Sequence, residues 1–182
     1  MSNKDLSKRD LEVIWHPYTQ MQTAPAPIGI VRGAGALLFD ENDQEYIDAT
    51  SSWWVNIHGH SHPYIAQQVA AQALQLEHCI FAGYTHPPAV NLAERLLDLI
   101  KGKQGKVFYS DNGSTAVEVA LKMALQYWDN KGIPKRNILA FKNAYHGDTF
   151  GAMSVSGRSV FTRVFDDWLF DVHFLDVPTP DN

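Results

Sequence analysis

The sequence predicts an α/β protein: a small antiparallel sheet near the start, then an incomplete sheet that is mixed but mainly parallel. Three observations lead there. Short apolar runs separated by turn residues crowd the first fifty positions. Helical periodicity takes over from about Pro63 and is interrupted by further strand-like runs after Gly105. Apolar residues make up 45% of 182 residues, enough for a real core. Strands alternating with helices imply parallel pairing with right-handed crossovers and two covered faces.

Taken in order, residues 5–14 suit a short helix that ends before Pro17, and Thr23-Ala-Pro-Ala-Pro27 is a loop by its prolines. Ile28–Val31, Ala36–Phe39 and Glu45–Ala49 suit strands, and Asp40-Glu-Asn-Asp43 is the turn between the last two. Pro63 fits a first helical turn, followed by Ile65, Val69, Ala73 and Leu76 at helical spacing. A second helix starts near Pro88, with Val90, Ala93, Leu97 and Ile100 on one face, and Lys101–Gly105 ends it. Lys106–Tyr109 is predicted as a strand. Val117, Ala120, Leu121, Ala124, Leu125 and Trp128 then give a strongly amphipathic helix. Asn137–Phe141 and Val172–Asp176 are two more strands.

Composition excludes several functions. A net charge of −5, with nine lysines and six arginines scattered along the chain, offers no basic tract for a phosphate backbone. Cys79 is the sole cysteine, so an internal disulfide cannot form; it suits a small buried apolar residue in a reducing cytosol. No apolar run has membrane length, and the polar first ten residues do not resemble a signal peptide. The expectation is a cytoplasmic protein. His58, His60 and His62 alternate, yet Gly59 and Pro63 break a regular strand and no ligand partner stands at metal spacing, so no metal site is expected.

Tyr109-Ser-Asp-Asn-Gly-Ser-Thr115 joins a predicted strand to the strongest helix. Gly113 allows a close backbone approach, and Ser114 and Thr115 bring hydroxyls and N–H groups to a helix start, where the dipole favours an anion such as phosphate. Thr115 and Glu118 have capping-box spacing. Spacing alone leaves an ordinary capped helix open. The following strand ends in Lys142-Asn-Ala-Tyr-His-Gly-Asp148, and ligands of parallel sheets sit beyond such strand ends. Tyr145 and His146 are candidates to stack on or hydrogen-bond a flat ligand; a surface Tyr and a satisfied His are the plainer reading. The paired Trp53 and Trp54 suit either an aromatic wall or core packing.

Together these segments resemble the class III, ornithine-type, pyridoxal-phosphate (PLP) aminotransferases. The matching pieces are Ile57-His-Gly-His-Ser-His-Pro63, Ser110-Asp-Asn-Gly-Ser-Thr-Ala-Val-Glu118 and Tyr145-His-Gly-Asp-Thr-Phe-Gly-Ala-Met153, in family order over nearly the whole chain. The resemblance implies fold type I of the PLP transferases, like aspartate aminotransferase. It also implies two parts. Residues 1–55 would be an N-terminal segment bearing small-domain strands and substrate-site aromatics; residues 56–182 would be the first part of a large PLP-binding domain. Gly113, Ser114, Tyr145 and His146 would then bind the cofactor, and Tyr18, Trp53, Trp54 and Tyr145 the substrate. Trp15-His-Pro-Tyr-Thr19 and Ser51-Ser-Trp-Trp-Val-Asn56 are similar to the branch of biotin biosynthesis that moves the amino group of S-adenosylmethionine to 8-amino-7-oxononanoate.

In the family PLP forms a Schiff base with a lysine, an aspartate pairs with its ring nitrogen and an arginine meets the substrate carboxylate. All three lie later in the family's sequence than any residue here. The chain by itself is therefore expected to lack the catalytic lysine and to be inactive, with Lys142 the nearest but unsupported substitute. The family implies a homodimer. Two alternatives stand beside this reading: a non-catalytic dimerisation or binding module derived from the enzyme, and an ornithine, acetylornithine or γ-aminobutyrate aminotransferase, against which Tyr18, Trp53 and Trp54 argue.

Overall fold

A computed structural model describes residues 5–100, 102 and 105–179. The chain divides into two compact units, Met1–His86 and Pro87–Asn182.

In the first unit α1 spans Leu6–Val13 and ends where Ile14 turns extended, three residues before Pro17. β1 (Ile30–Ala34), β2 (Leu37–Asp40) and β3 (Glu45–Ile47) form the antiparallel sheet that the turn residues predict, in the order β1-β2-β3. The Asp40 carboxylate closes the β2–β3 turn: its Oδ1 accepts the N–H groups of Asn42 at 2.8 Å and Gln44 at 3.0 Å. Those bonds, led by Gln44, hold its pKa below the ordinary carboxylate value. Phe39 is buried, with the Arg32 guanidinium 3.3 Å from its ring centroid across the β1–β2 ladder.

β3 stops at Ile47, short of the expected Ala49, because Asp48 turns away to hold the next element. That element, α2 (Ser51–Trp54), has φ values of 50°, 48°, 59° and 68°. Four successive left-handed residues, none of them glycine, cost roughly 1–2 kcal/mol each against the right-handed form. α3 (Pro63–Gln75) opens on proline as the sequence predicts, and none of its residues is buried. Its apolar Ile65 and Val69 face solvent.

In the second unit α4 (Pro87–Ile100) buries Ala89. Lys101, Lys103 and Gln104 of the expected stop lie outside the described residues. Lys106–Tyr109 is not a strand. The run Val107-Phe108 has strand propensity, but a strand exists only as part of a ladder, and no described segment pairs with it. It is tied down instead by the Tyr109 hydroxyl, which donates to the Ala89 carbonyl at 2.7 Å. α5 (Gly113–Asn130) covers the strongest periodicity. β4 (Leu139–Phe141) and β5 (His173–Leu175) pair in parallel, Leu139 opposite His173 and Phe141 opposite Leu175.

The core of this unit sits at α6 (Phe150–Ser154), a single helical turn too short for periodicity to reveal. Gly151, Ala152, Met153 and Ser154 are all buried. α6 packs against α5 so closely that a Cβ on Gly151 would strike the Glu118 carboxyl carbon at 2.7 Å. A 3₁₀ turn, Arg163–Trp168, follows.

Candidate active site

The start of α5 and the loop after β4 meet. Asn112 is the helix cap: its Oδ1 accepts the Thr115 N–H at 3.0 Å, while Thr115 Oγ1 accepts the Asn112 N–H at 3.1 Å. The capping box is thus Asn112 with Thr115, and not Thr115 with Glu118 as the spacing suggested. Ser110 adds a 2.6 Å bond to the same threonine hydroxyl. This leaves Ser114 outside the box, and its Oγ accepts the Asp148 N–H at 3.2 Å. Gly147 is buried against it, at φ 127°, with its absent Cβ's place 2.8 Å from Ser114 Cα. Gly113 has no left-handed φ, and a Cβ there would touch nothing within 4 Å. Open space therefore lies over the helix start, where the Gly113 and Ser114 N–H groups have no partner within the helix.

Tyr145 stands in the same loop, 72% exposed as a residue, with its hydroxyl donating to Asp148 Oδ2 at 2.9 Å. The His146 N–H donates to Ser156 Oγ at 2.9 Å, and its ring is exposed. Lys142, at the strand end, is ion-paired with Asp176 at 2.9 Å.

Glu118, whose spacing from Thr115 suggests a capping role, instead fixes this loop. Glu118 projects from the second turn of α5 to the start of α6, where Oε1 accepts the Thr149 hydroxyl at 2.5 Å and the N–H groups of Gly151 at 2.7 Å and Ala152 at 3.2 Å. These bonds, the Thr149 hydroxyl first, lower its pKa against the opposing effect of burial. Nothing local in the sequence signals a side chain reaching an element thirty residues on.

Tyr18, Trp53 and Trp54 belong to the first unit. The Tyr18 and Trp53 rings lie 5.5 Å apart, tilted by 57°, and both are largely exposed, as is Trp54. Asp48 organises this region. Its Oδ1 accepts the Ser52 N–H at 2.9 Å, and Oδ2 accepts the Ser52 hydroxyl at 2.8 Å and faces His60 Nε2 at 2.8 Å. The Ser52 bonds first, then His60, bring its pKa down to about 2. The strand predicted over Glu45–Ala49 includes Asp48; a carboxylate three and four residues before paired serines is the signal that marks it as a cap instead. His60 is thus a partner of Asp48, and among the described residues no cluster of three His, Cys, Asp or Glu side chains is placed to hold a metal. Cys79 is half-buried where full burial was expected. An open cleft of about 280 Å³ in this unit, lined by Leu11, His16, Met21 and Pro25–Pro27, includes none of the sequence-predicted site residues.

A parallel pair of strands whose following loop closes on a capped helix start is the arrangement of an α/β protein. The family model for class-III aminotransferases matches residues 18–182, and the chain belongs to that family. Class-III aminotransferases are PLP-dependent. A Synechococcus elongatus protein named adenosylmethionine-8-amino-7-oxononanoate aminotransferase is 55% identical over 165 residues, which is 91% of this chain and 39% of that protein. The solved structure of the Methanocaldococcus jannaschii protein of the same name is 41% identical with a TM-score of 0.86, covering 94% of this chain and 40% of its own. A Pseudomonas jessenii omega transaminase solved in complex with PMP matches with a TM-score of 0.86 at 28% identity, over 96% and 40%. The chain thus spans about two fifths of the length of these relatives.

Proposed function

We propose that the chain carries the phosphate cradle and an aromatic substrate wall of a PLP-dependent aminotransferase. The reaction is transfer of the amino group of S-adenosylmethionine to 8-amino-7-oxononanoate, giving 7,8-diaminononanoate in biotin biosynthesis. The observation that carries the cofactor part is the 3.2 Å bond between Ser114 and the Asp148 N–H, which seats the Tyr145 loop beside an open helix start. The name shared by the Synechococcus and Methanocaldococcus relatives supports the substrates.

The residues present fit the cofactor. The N–H groups of Gly113 and Ser114 and the positive end of α5 suit its phosphate, and the space over Gly113 leaves room for it. The exposed Tyr145 ring suits a pyridine face, and its bond to Asp148 limits ring rotation. His146 lies beside it in the same loop as a second polar contact. When bound, PLP supplies the electron sink that lets an amino group leave one carbon and join another in two half-reactions. Tyr18, Trp53 and Trp54 supply flat apolar surface of low conformational freedom, suited to a nine-carbon chain and to an adenine ring. In this reading residues 1–55 form the N-terminal segment and residues 56–182 belong to the large PLP-binding domain.

A homodimer in the cytoplasm completes the proposal. It is supported by exposed apolar side chains such as Trp54, Leu74, Val160 and Trp168, and by the absence, among the described residues, of a helix long and apolar enough to cross a membrane.

The test has two arms. The protein containing this chain, given both substrates, is expected to form 7,8-diaminononanoate; equal kcat/KM with ornithine or γ-aminobutyrate as donor overturns the substrate assignment. Ser114→Ala is expected to weaken PLP binding roughly tenfold, near 1.4 kcal/mol, in a fluorescence titration. An unchanged titration removes the Ser114 hydroxyl from the cradle and leaves only its N–H.

A further inference from the structure

Four left-handed residues in a row are strained: main-chain bonds close the turn, Ser51 N–H to the Asp48 carbonyl at 3.2 Å and Trp54 N–H to the Thr50 carbonyl at 2.9 Å, and the side chain that grips it is one carboxylate. We infer that Asp48 is a positioning residue for the Trp53–Trp54 wall: it clamps Ser51–Trp54 in the left-handed turn that aims both indoles. The inference rests on the reading of those tryptophans as a substrate wall.

The clamp acts at the strained backbone itself. Oδ1 takes the Ser52 N–H and Oδ2 the Ser52 hydroxyl, so one side chain grips both the main chain and the side chain of the turn's second residue. Asp48 is in turn fixed to the sheet by two routes. Its own N–H donates to the Ala36 carbonyl at 2.9 Å, between β1 and β2. Its Oδ2 also meets His60, whose N–H and C=O exchange bonds with Gly35 at 2.8 and 3.2 Å. The His60 side chain lies so close to β1 that a Cβ on Gly33 would stand 2.7 Å from His60 Cβ. The Asp48 side chain is 8% exposed and His60 15%, so the bond between them is largely shielded from water, while Ser52 itself is exposed. The direction of the indoles is therefore registered to the sheet. Remove the carboxylate and the turn relaxes toward the right-handed or extended form, carrying Trp53 away from Tyr18.

Glycine adopts left-handed φ without penalty, which separates aiming the turn from holding the unit together. In the purified chain, the near-ultraviolet circular dichroism band lost on Trp53→Phe reports the turn. Asp48→Ala is expected to abolish that band while the far-ultraviolet spectrum stays, and the double variant D48A/S52G is expected to recover it. A band unchanged in D48A overturns the inference, as does a loss that S52G fails to rescue. Should D48A not fold, Ser52→Ala, which deletes only the hydroxyl contact, is expected to weaken the band, and an unchanged band there overturns it equally. In the protein containing this chain, D48A is expected to raise KM for 8-amino-7-oxononanoate roughly tenfold with little change in kcat. If the wild-type protein fails to use that substrate, the substrate reading falls, while the spectral experiment still judges Asp48.

Discussion

Gly147 is the position where a single methyl group would do most harm. Its φ of 127° excludes ordinary side chains, and Ser114 Cα occupies the place beside any Cβ. Gly147→Ala is expected to cost about 1–3 kcal/mol and to prise the Tyr145 loop from α5. Chemical denaturation measures the first effect, and loss of PLP binding the second. Asp48 offers a test with pH. Its folded pKa of about 2 lies below the ordinary 3.8, so protons bind the folded form less readily than the unfolded one. The stabilisation is full above pH 4 and is lost as pH falls through 2. The Trp53-dependent circular dichroism band is expected to persist down to pH 4 and fade below it in the wild type. Asp48→Asn, which has no proton to gain there, is expected to show no such step. Trp53 and Trp54 were plain in the sequence as an aromatic pair, but their left-handed backbone was not, because non-glycine residues visit that region only when distant groups force them.

At the scale of elements, Glu118 is the join between α5 and α6. One carboxylate satisfies a threonine hydroxyl and two N–H groups at the α6 start, which a five-residue helix could not leave bare in a buried position. Glu118→Ala is expected to destabilise the second unit by about 1–2 kcal/mol, read as a lower denaturation midpoint. Glu118→Gln, which keeps an acceptor oxygen, is expected to lose less. Long helices with clear periodicity, such as α5, stand where their sequence places them, because three or four turns of repeated spacing outvote local noise. Lys106–Tyr109 and α6 show the two ways this fails. The first has the composition of a strand and no partner; the second is a real helix whose single turn carries no period.

For the molecule as a whole, burial is sparse. Among the described residues the buried apolar set is Phe39, Ala89, Ala152, Met153 and Val155, while Trp15, Trp54, Leu74, Val160 and Trp168 stand in solvent. Exposed apolar surface on this scale suits a chain that buries it against further protein. The same view governs catalysis. Lys142, the lysine nearest the candidate cofactor loop, is committed to Asp176 and is not aimed at the cradle by any bond. Borohydride treatment of this chain with PLP is therefore expected to leave no reduced pyridoxyl label on Lys142 in a peptide map; label at that position would assign it the amine's role.

By itself the sequence determined the class of fold, the family, the position of the capped helix start and the aromatic residues Tyr18, Trp53 and Trp54, because each is written in local spacing and residue type. Only the tertiary structure decided what His60, Glu118 and Gly147 do, and that Asp48 joins its local serine contact to His60. Those partners lie 12 to 34 residues away, and a hydrogen bond or a steric contact depends on distance in space, which local spacing does not encode.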